Sequence, residues 1–357
     1  MNKFFILKIT NSQVRSPWNF FFESMSLPFY ILLIFFFLIP LEVFSESYVG
    51  VFGGRNGGEH IFETGNKYPN LSGIRGGSRI TYDRSYNFGG VEGGYTKRRL
   101  NLEGKFATTG WTVSTKGGRD EDFFLGQVST ERNSKLSINP LYLHDTAHTY
   151  TGTQNFADGK GSLSIYEQRM SFFGKYFFSG ETASPWEKKD RFYITFGLRY
   201  NYFKYLLYDV NQFIQRPIYY GPIGVGLSYT YSAVEYGGGG GYIYQFGNFR
   251  IEPSFILLIG YNRFRDFHFQ RNLNFIGENS GLGFISKIQT SYDVSENTQL
   301  RLSYEAHRMF TTGYFKTKGG LSSEDVLSGY LGKYSGGSST KEAYIEFGAI
   351  TKLSELL

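Results

Sequence analysis

From Phe192 to Tyr202 the chain alternates. Phe192, Ile194, Phe196, Leu198, Tyr200 and Tyr202 form one apolar set, Thr195, Gly197, Arg199 and Asn201 lie between them, and only Tyr193 breaks the pattern. Leu300, Leu302, Tyr304 and Ala306 alternate in the same way with Gln299, Arg301, Ser303, Glu305 and His307, and Leu100, Leu102 and Phe106 with Asn101, Glu103 and Lys105. A period of two marks a strand with one apolar and one polar face. The pattern predicts ten strands, near 47–64, 70–94, 98–116, 158–178, 191–206, 223–246, 249–263, 281–294, 298–313 and 342–353. Tight connections fall near Thr96–Arg98, Gly247-Asn248 and Ser295–Asn297, and long ones over 117–157, 207–222, 264–280 and 314–341.

A strand with one greasy and one charged face fits a soluble sandwich, which buries the greasy face, or a membrane barrel, which turns it to lipid. Length separates the two. The stretches 98–116, 191–206, 249–263 and 298–313 all exceed the soluble mean of about five or six residues, whereas a tilted barrel strand needs about 9–11 for the hydrocarbon alone. Short turns alternating with long loops, and an even strand number, are also barrel features. The expected fold is therefore all-β: a ten-stranded antiparallel transmembrane β-barrel with long extracellular loops. The C-terminal run Lys352-Leu353-Ser354-Glu355-Leu356-Leu357 departs from the terminal aromatic usual in such barrels.

Composition sharpens this. Aromatics make up 19% of the chain, with 36 Phe and 29 Tyr, as interfacial girdles require. The absence of Cys excludes disulfides, thiolate metal sites, a cysteine nucleophile and a lipid-modified N-terminal cysteine. Lys3, Lys8 and Arg15 precede the apolar run Phe29–Ile39, which is too short to span a bilayer, and Val43-Phe44-Ser45 offers a cleavage site. Residues 1–45 thus read as a signal peptide and 46–357 as the barrel, with Met25 an alternative start. Loss of three basic and two acidic residues takes the net charge from +6 to +5. Such an exported, mildly basic protein suits anionic surfaces such as lipid A phosphates or acidic polysaccharide, and its scattered basic residues do not resemble a nucleic-acid interface.

Two short motifs could carry chemistry. Asp266-Phe267-His268 follows the strand 249–263. On an extended chain Asp-x-His puts both side chains on one face, close enough for the carboxylate to orient the imidazole as a general base. The even positions of that strand face the lumen, which turns Asp266 and His268 inward. Asp120-Glu121-Asp122 has the same spacing, and Asp120 and Asp122 would repel, so that one holds its proton, as in carboxylate pairs that work on water. Each motif alone is more simply a solvated loop end; together, on one rim, they could hold a water against a carbonyl. Continued alternation from 98–108 would turn Asp120 and Asp122 outward, so the proposal requires a bulge, for which Gly117-Gly118 is the natural place. No Gly-x-Ser-x-Gly or His-Glu-x-x-His competes, and no Asp/Asn-x-Asp-Gly loop supports a metal site. Of the remaining histidines, His307 falls on the polar face of its strand, and His60, His144 and His148 carry no assignment.

Gly110-Trp111-Thr112, then Gly117-Gly118, then Asp120-x-Asp122 before Phe123, together with Asp266-x-His268 after the seventh strand, resemble the omptins, outer-membrane proteases on ten-stranded barrels. The resemblance implies an aspartyl endopeptidase in the bacterial outer membrane, its active face extracellular, with Asp120, Asp122, Asp266 and His268 catalytic. It implies polypeptide substrates, no metal or other cofactor, and surrounding outer-membrane lipid, with lipopolysaccharide a candidate requirement for activity and a monomer the expected state. Phe62-Glu63-Thr64-Gly65-Asn66-Lys67 looks like the first-loop stretch that supplies an acid to a basic P1 side chain, which would be Glu63. The family's second P1 acid is replaced by Phe264, and Arg263 and Arg265 flank the site, so cleavage next to basic residues does not carry over. The alternative is a non-enzymatic barrel on the same scaffold: a small porin, an adhesin or a host-protein receptor.

Overall fold

A computed structural model describes residues 45–66, 76–124, 134–135, 149–150, 155–214, 219–330 and 332–353. Residues 1–44 of the segment read as a signal peptide, most of the loop 125–154 with His144 and His148, and the C-terminal residues 354–357 lie outside the described residues.

The strands are β1 (Ser45–Asn66), β2 (Gly76–Asp83), β3 (Tyr86–Lys97), β4 (Leu100–Thr108), β5 (Val113–Ser114), β6 (Gly118–Phe124), β7 (Ser134–Lys135), β8 (Thr149–Tyr150), β9 (Asn155–Phe177), β10 (Arg191–Ile214), β11 (Tyr219–Gly224), β12 (Leu227–Phe246), β13 (Phe249–His268), β14 (Leu273–Asp293), β15 (Thr298–Gly319) and β16 (Tyr334–Lys352). Among the described residues one short helix, α1 (Ser323–Tyr330), precedes β16. β7 and β8 pair only with each other. The rest form a closed antiparallel ring of ten staves, in which β2–β3, β4–β6 and β11–β12 each make one interrupted stave. Closure comes from β1 against β16, from Tyr48 opposite Lys352 to Thr64 opposite Gly336. A closed ring leaves no backbone edge unpaired, the condition for crossing lipid with strands. Among the described residues no helix is long and apolar enough to cross a membrane.

The alternation read from the sequence is the alternation of lipid and lumen. On β13 the outward residues Phe255, Leu257 and Ile259 are 48%, 63% and 64% exposed, while Arg250, Glu252, Asn262 and Asp266 face inward and are buried. A band of exposed apolar side chains this wide is unstable in water and stable in hydrocarbon. It ends at Tyr261; Arg263 and Arg265 follow on the same outer face. On β6 the corresponding outer residues are Arg119 and Glu121, already charged, so β6 and the last turns of β13 stand above the hydrocarbon.

The staves outrun the predicted strands. β10 continues to Ile214, β13 and β14 meet across residues 269–272, and β15 reaches Gly319, so most of the expected long loops at 207–222 and 264–280, and the start of 314–341, are strand. The reason is chemical: above the lipid the outer face becomes polar, with Arg263, Arg265, Lys316 and Lys318, and the apolar half of the pattern disappears while the hydrogen-bonded ladder continues.

Inside, ion pairs fill the lumen. Arg199 meets Glu305 at 2.7 Å, Lys175 meets Glu252 at 2.8 Å and Glu103 at 3.4 Å, and His307 meets Glu235 at 3.1 Å. Glu103, Lys175, Arg199, Glu252 and Glu305 line an internal cavity of about 80 Å³. Above it lies a layer of packed rings that includes Phe62, Tyr82, Phe203, Tyr205, Tyr229 and Phe264. On the tight-turn side, residues 179–190 tuck Trp186 against Tyr48, their ring centroids 6.1 Å apart.

Candidate active site

β13 delivers Asp266 and His268 to the rim opposite the tight turns. Their inward parity follows from the strand's alternation, and they meet as the sequence predicts: His268 Nε2 lies 2.9 Å from Asp266 Oδ2. The Asp266 side chain is 2% exposed and that of His268 19%, so the pair is supported from below and open above. The neighbouring strands put Tyr229 and Phe275 opposite Asp266, and Leu227 and Leu273 opposite His268. The His268 ring stands edge-on to Phe275 with centroids 5.1 Å apart.

β6 delivers Asp120 and Asp122, four staves away around the ring. The required bulge is present. Val113 lies opposite Ile165 and Gly118 opposite Gly161, so the stave advances five positions while β9 advances four. One residue is extra, and the phase inverts: Asp120 and Asp122 come to lie opposite Gly159 and Ala157, on the lumen side. The irregularity sits at Gly117, whose φ of +137° favours glycine, and a Cβ there would be 2.9 Å from the Gly161 carbonyl oxygen. Gly117→Ala should therefore cost about 1–3 kcal/mol of stability, read as a lowered urea midpoint of the refolded barrel; an unchanged midpoint would show that the bulge tolerates a side chain.

The electrostatics of the two pairs are opposed and linked. Burial, and then the neighbouring Asp122 charge, push the Asp120 carboxyl up to about 8, with His268 pulling against them. Asp122 is raised as well, mainly by burial, although it accepts a hydrogen bond from Ser78. Burial alone would lower His268; the Asp266 carboxylate outweighs it, and together with Asp120 brings the imidazole to about 9. Asp120 Oδ1, Asp266 Oδ1 and the hydroxyl of Tyr82 are buried without a protein hydrogen-bond partner. Tyr82 stacks on Tyr229 with centroids 4.8 Å apart, and Tyr229 lies opposite Asp266, so these rings form the floor beneath both pairs. Among the described residues no three His, Cys, Asp or Glu side chains are close enough to hold a metal ion.

Other assignments differ. Glu63 does not reach the site. Its neighbour Phe62 takes the inward position, and Glu63 lies on the outer face, where its carboxylate accepts from Arg79 Nε at 2.8 Å. Arg79 lies opposite Glu121, which Arg119 meets at 2.9 Å, so Glu63 belongs to a charge ladder across the outside of the staves. Phe264 is buried and packs on Phe62, with ring centroids 4.5 Å apart. Sequence reasoning gave no role to Tyr82 or to His60, whose ring nitrogens meet Thr340 Oγ1 at 2.8 Å and Tyr229 Oη at 3.1 Å. Strand parity would have turned both inward. Arg271, ion-paired to Asp325 of α1 and adding positive potential at Asp120 and Asp122, had no such signal, because it lies in a turn.

Residues 67–347 match the profile of a family described as "Putative porin". No curated protein matches the chain. Among solved structures, the outer membrane protease OmpT from Escherichia coli superposes with a TM-score of 0.59 at 9% identity, covering 88% of this chain and 99% of that one. The translocator domain of the autotransporter NalP from Neisseria meningitidis gives 0.35 at 10% identity, covering 90% and 93%. At these identities the likeness to OmpT is one of fold: an outer-membrane β-barrel.

Proposed function

This chain belongs to the family described as "Putative porin", and for this outer-membrane β-barrel we propose an endopeptidase of omptin type, working at the extracellular mouth without a covalent intermediate. The observation that carries the reading is the convergence on one rim of a hydrogen-bonded Asp266–His268 pair and a buried Asp120/Asp122 pair whose proton affinities are moved away from their ordinary values. His268, oriented by Asp266, takes a proton from water as the water oxygen bonds the carbonyl carbon, and returns that proton to the amide nitrogen as the C–N bond breaks; protonated Asp120 hydrogen-bonds the carbonyl oxygen as it gains charge, with the Asp122 carboxyl beside it. The orphaned oxygens of Asp120, Asp266 and Tyr82 suit a hydrogen-bonded water between the pairs. Polypeptides are the substrates, the barrel acts as a monomer in outer-membrane lipid, and lipopolysaccharide supplies its surroundings.

The pH dependence tests this. His268 must be neutral to act as base, so activity rises toward about pH 9; Asp120 must keep its proton, so activity is lost above about pH 8. The two limbs overlap, and kcat/KM for a mixed peptide library should be a narrow bell with its maximum between them. A maximum below neutrality would exclude these roles. The family description favours a second reading, a diffusion pore. The packed rings and ion pairs across the lumen argue against an open one, so wild-type protein in planar bilayers should show no steady conductance.

A further inference from the structure

The side chains that would receive a substrate next to the Asp266–His268 pair are apolar. Phe275 lies directly opposite Asp266 on β14, against the His268 ring and 5.7 Å from Phe315. Phe264, the next inward residue below Asp266, packs on Phe62 and stacks with Tyr229, whose centroid is 6.1 Å away. Leu227 and Leu273 flank His268, and both are buried. Of this wall, Phe275 is only partly buried against the core. Among the described residues, the carboxylates nearest this wall are those of the pairs that would do the chemistry. Glu63 is directed to the outer face, and Asp325 is held by Arg271.

A basic side chain beside the scissile bond would therefore leave water for a surface of rings and leucines whose neighbouring carboxylates, Asp266, Asp120 and Asp122, are engaged in the hydrolysis, at a cost that a large apolar side chain avoids. Arg271 adds positive potential at the mouth, and Arg263 and Arg265 occupy the outer face of the same strand. We infer that the site accepts a large apolar or aromatic side chain next to the bond it cuts, with Phe275 the residue that contacts it and Phe264 and Phe315 backing it. This rests on the hydrolytic reading above and names the substrate class for that site.

The test uses full-length barrel refolded in detergent with lipopolysaccharide and a series of otherwise identical fluorescent peptides carrying Leu, Phe, Arg or Lys at one position. Binding is measured by anisotropy in an Asp120→Asn background, and cleavage in the wild type. The Leu and Phe peptides should bind at least about tenfold more tightly than the Arg and Lys peptides, a difference of about 1.4 kcal/mol, and cleavage should fall beside Leu or Phe. Phe275→Asp, at a partly exposed position, should reduce or invert the preference; Phe275→Leu should retain it. Tighter binding of the basic peptides, equal binding, or no binding of either class overturns the inference, as does cleavage beside Arg or Lys. A persistent apolar binding preference without cleavage of any peptide would leave the pocket standing and remove the hydrolytic reading instead.

Discussion

His268→Ala is expected to lower kcat/KM for peptide hydrolysis by about 10²–10⁴-fold, the range that a positioned general base contributes. The loss should be chemical and not architectural. His268 is the last residue of β13, its side chain is partly open to solvent, and the ladder that holds it is backbone pairing with Leu227 and Leu273. The barrel should still refold and retain its heat-modifiable mobility. Asp266→Asn separates orientation from charge. An amide can still hydrogen-bond the ring, but the carboxylate that holds the imidazole near 9 is gone. The rising limb of the pH profile should move toward lower pH, and kcat should fall because a less basic imidazole is a weaker base. A purely structural Asp266 would reduce the amount of folded protein and leave the profile in place. Activity of His268→Ala within about threefold of wild type would place the proton transfer elsewhere.

The part of this site that could be read from sequence is the part encoded by alternation. Even positions of β13 face inward because Phe255, Leu257 and Ile259 must face lipid, and that parity carries to Asp266 and His268 without a break. The phase of Asp120 and Asp122 could be read only as a condition, since one residue's worth of register depends on how Gly117 is paired, and pairing is a property of the neighbouring strand. Glu63 shows the converse. Its motif resemblance pointed to the substrate, but the odd positions of β1 face out, and parity outranks likeness once the strand continues through the motif. Strand ends were hidden for a related reason. The sequence marks where lipid stops, at Tyr261 on β13, whereas the ladder continues to His268 because backbone hydrogen bonds do not depend on an apolar face. Arg271 and Tyr82 act through contacts between distant staves, which no local pattern reports.

Arg84→Met should destabilise the barrel by about 3–5 kcal/mol, the cost of leaving a buried charge without its partner. Arg84 sits where the second stave breaks between β2 and β3, with its side chain 1% exposed. Its guanidinium meets Glu167 at 2.5 Å and Glu342 at 2.7 Å, donates to the hydroxyl of Tyr86 at 3.0 Å, and lies 4.3 Å from the centre of the Phe203 ring. Removing it leaves two carboxylates facing each other in a packed interior, with Arg169 3.9 Å from Glu167 and Arg199 acting on both at longer range. Adding Glu342→Gln should recover part of the loss, because one uncompensated charge then disappears, and that non-additivity identifies the cause as charge and not volume. Urea titration of the refolded protein in micelles measures both variants. The consequence should extend to the rim. Arg84 also reaches Tyr205, which stacks on Tyr82 with centroids 4.7 Å apart, and Tyr82 lies under the carboxylate pairs. A loosened Arg84 should therefore lower hydrolysis under conditions where the barrel remains folded. A destabilisation below about 1 kcal/mol, the value of an exposed pair, would mean that water reaches this network and that the floor of the site is not held by it.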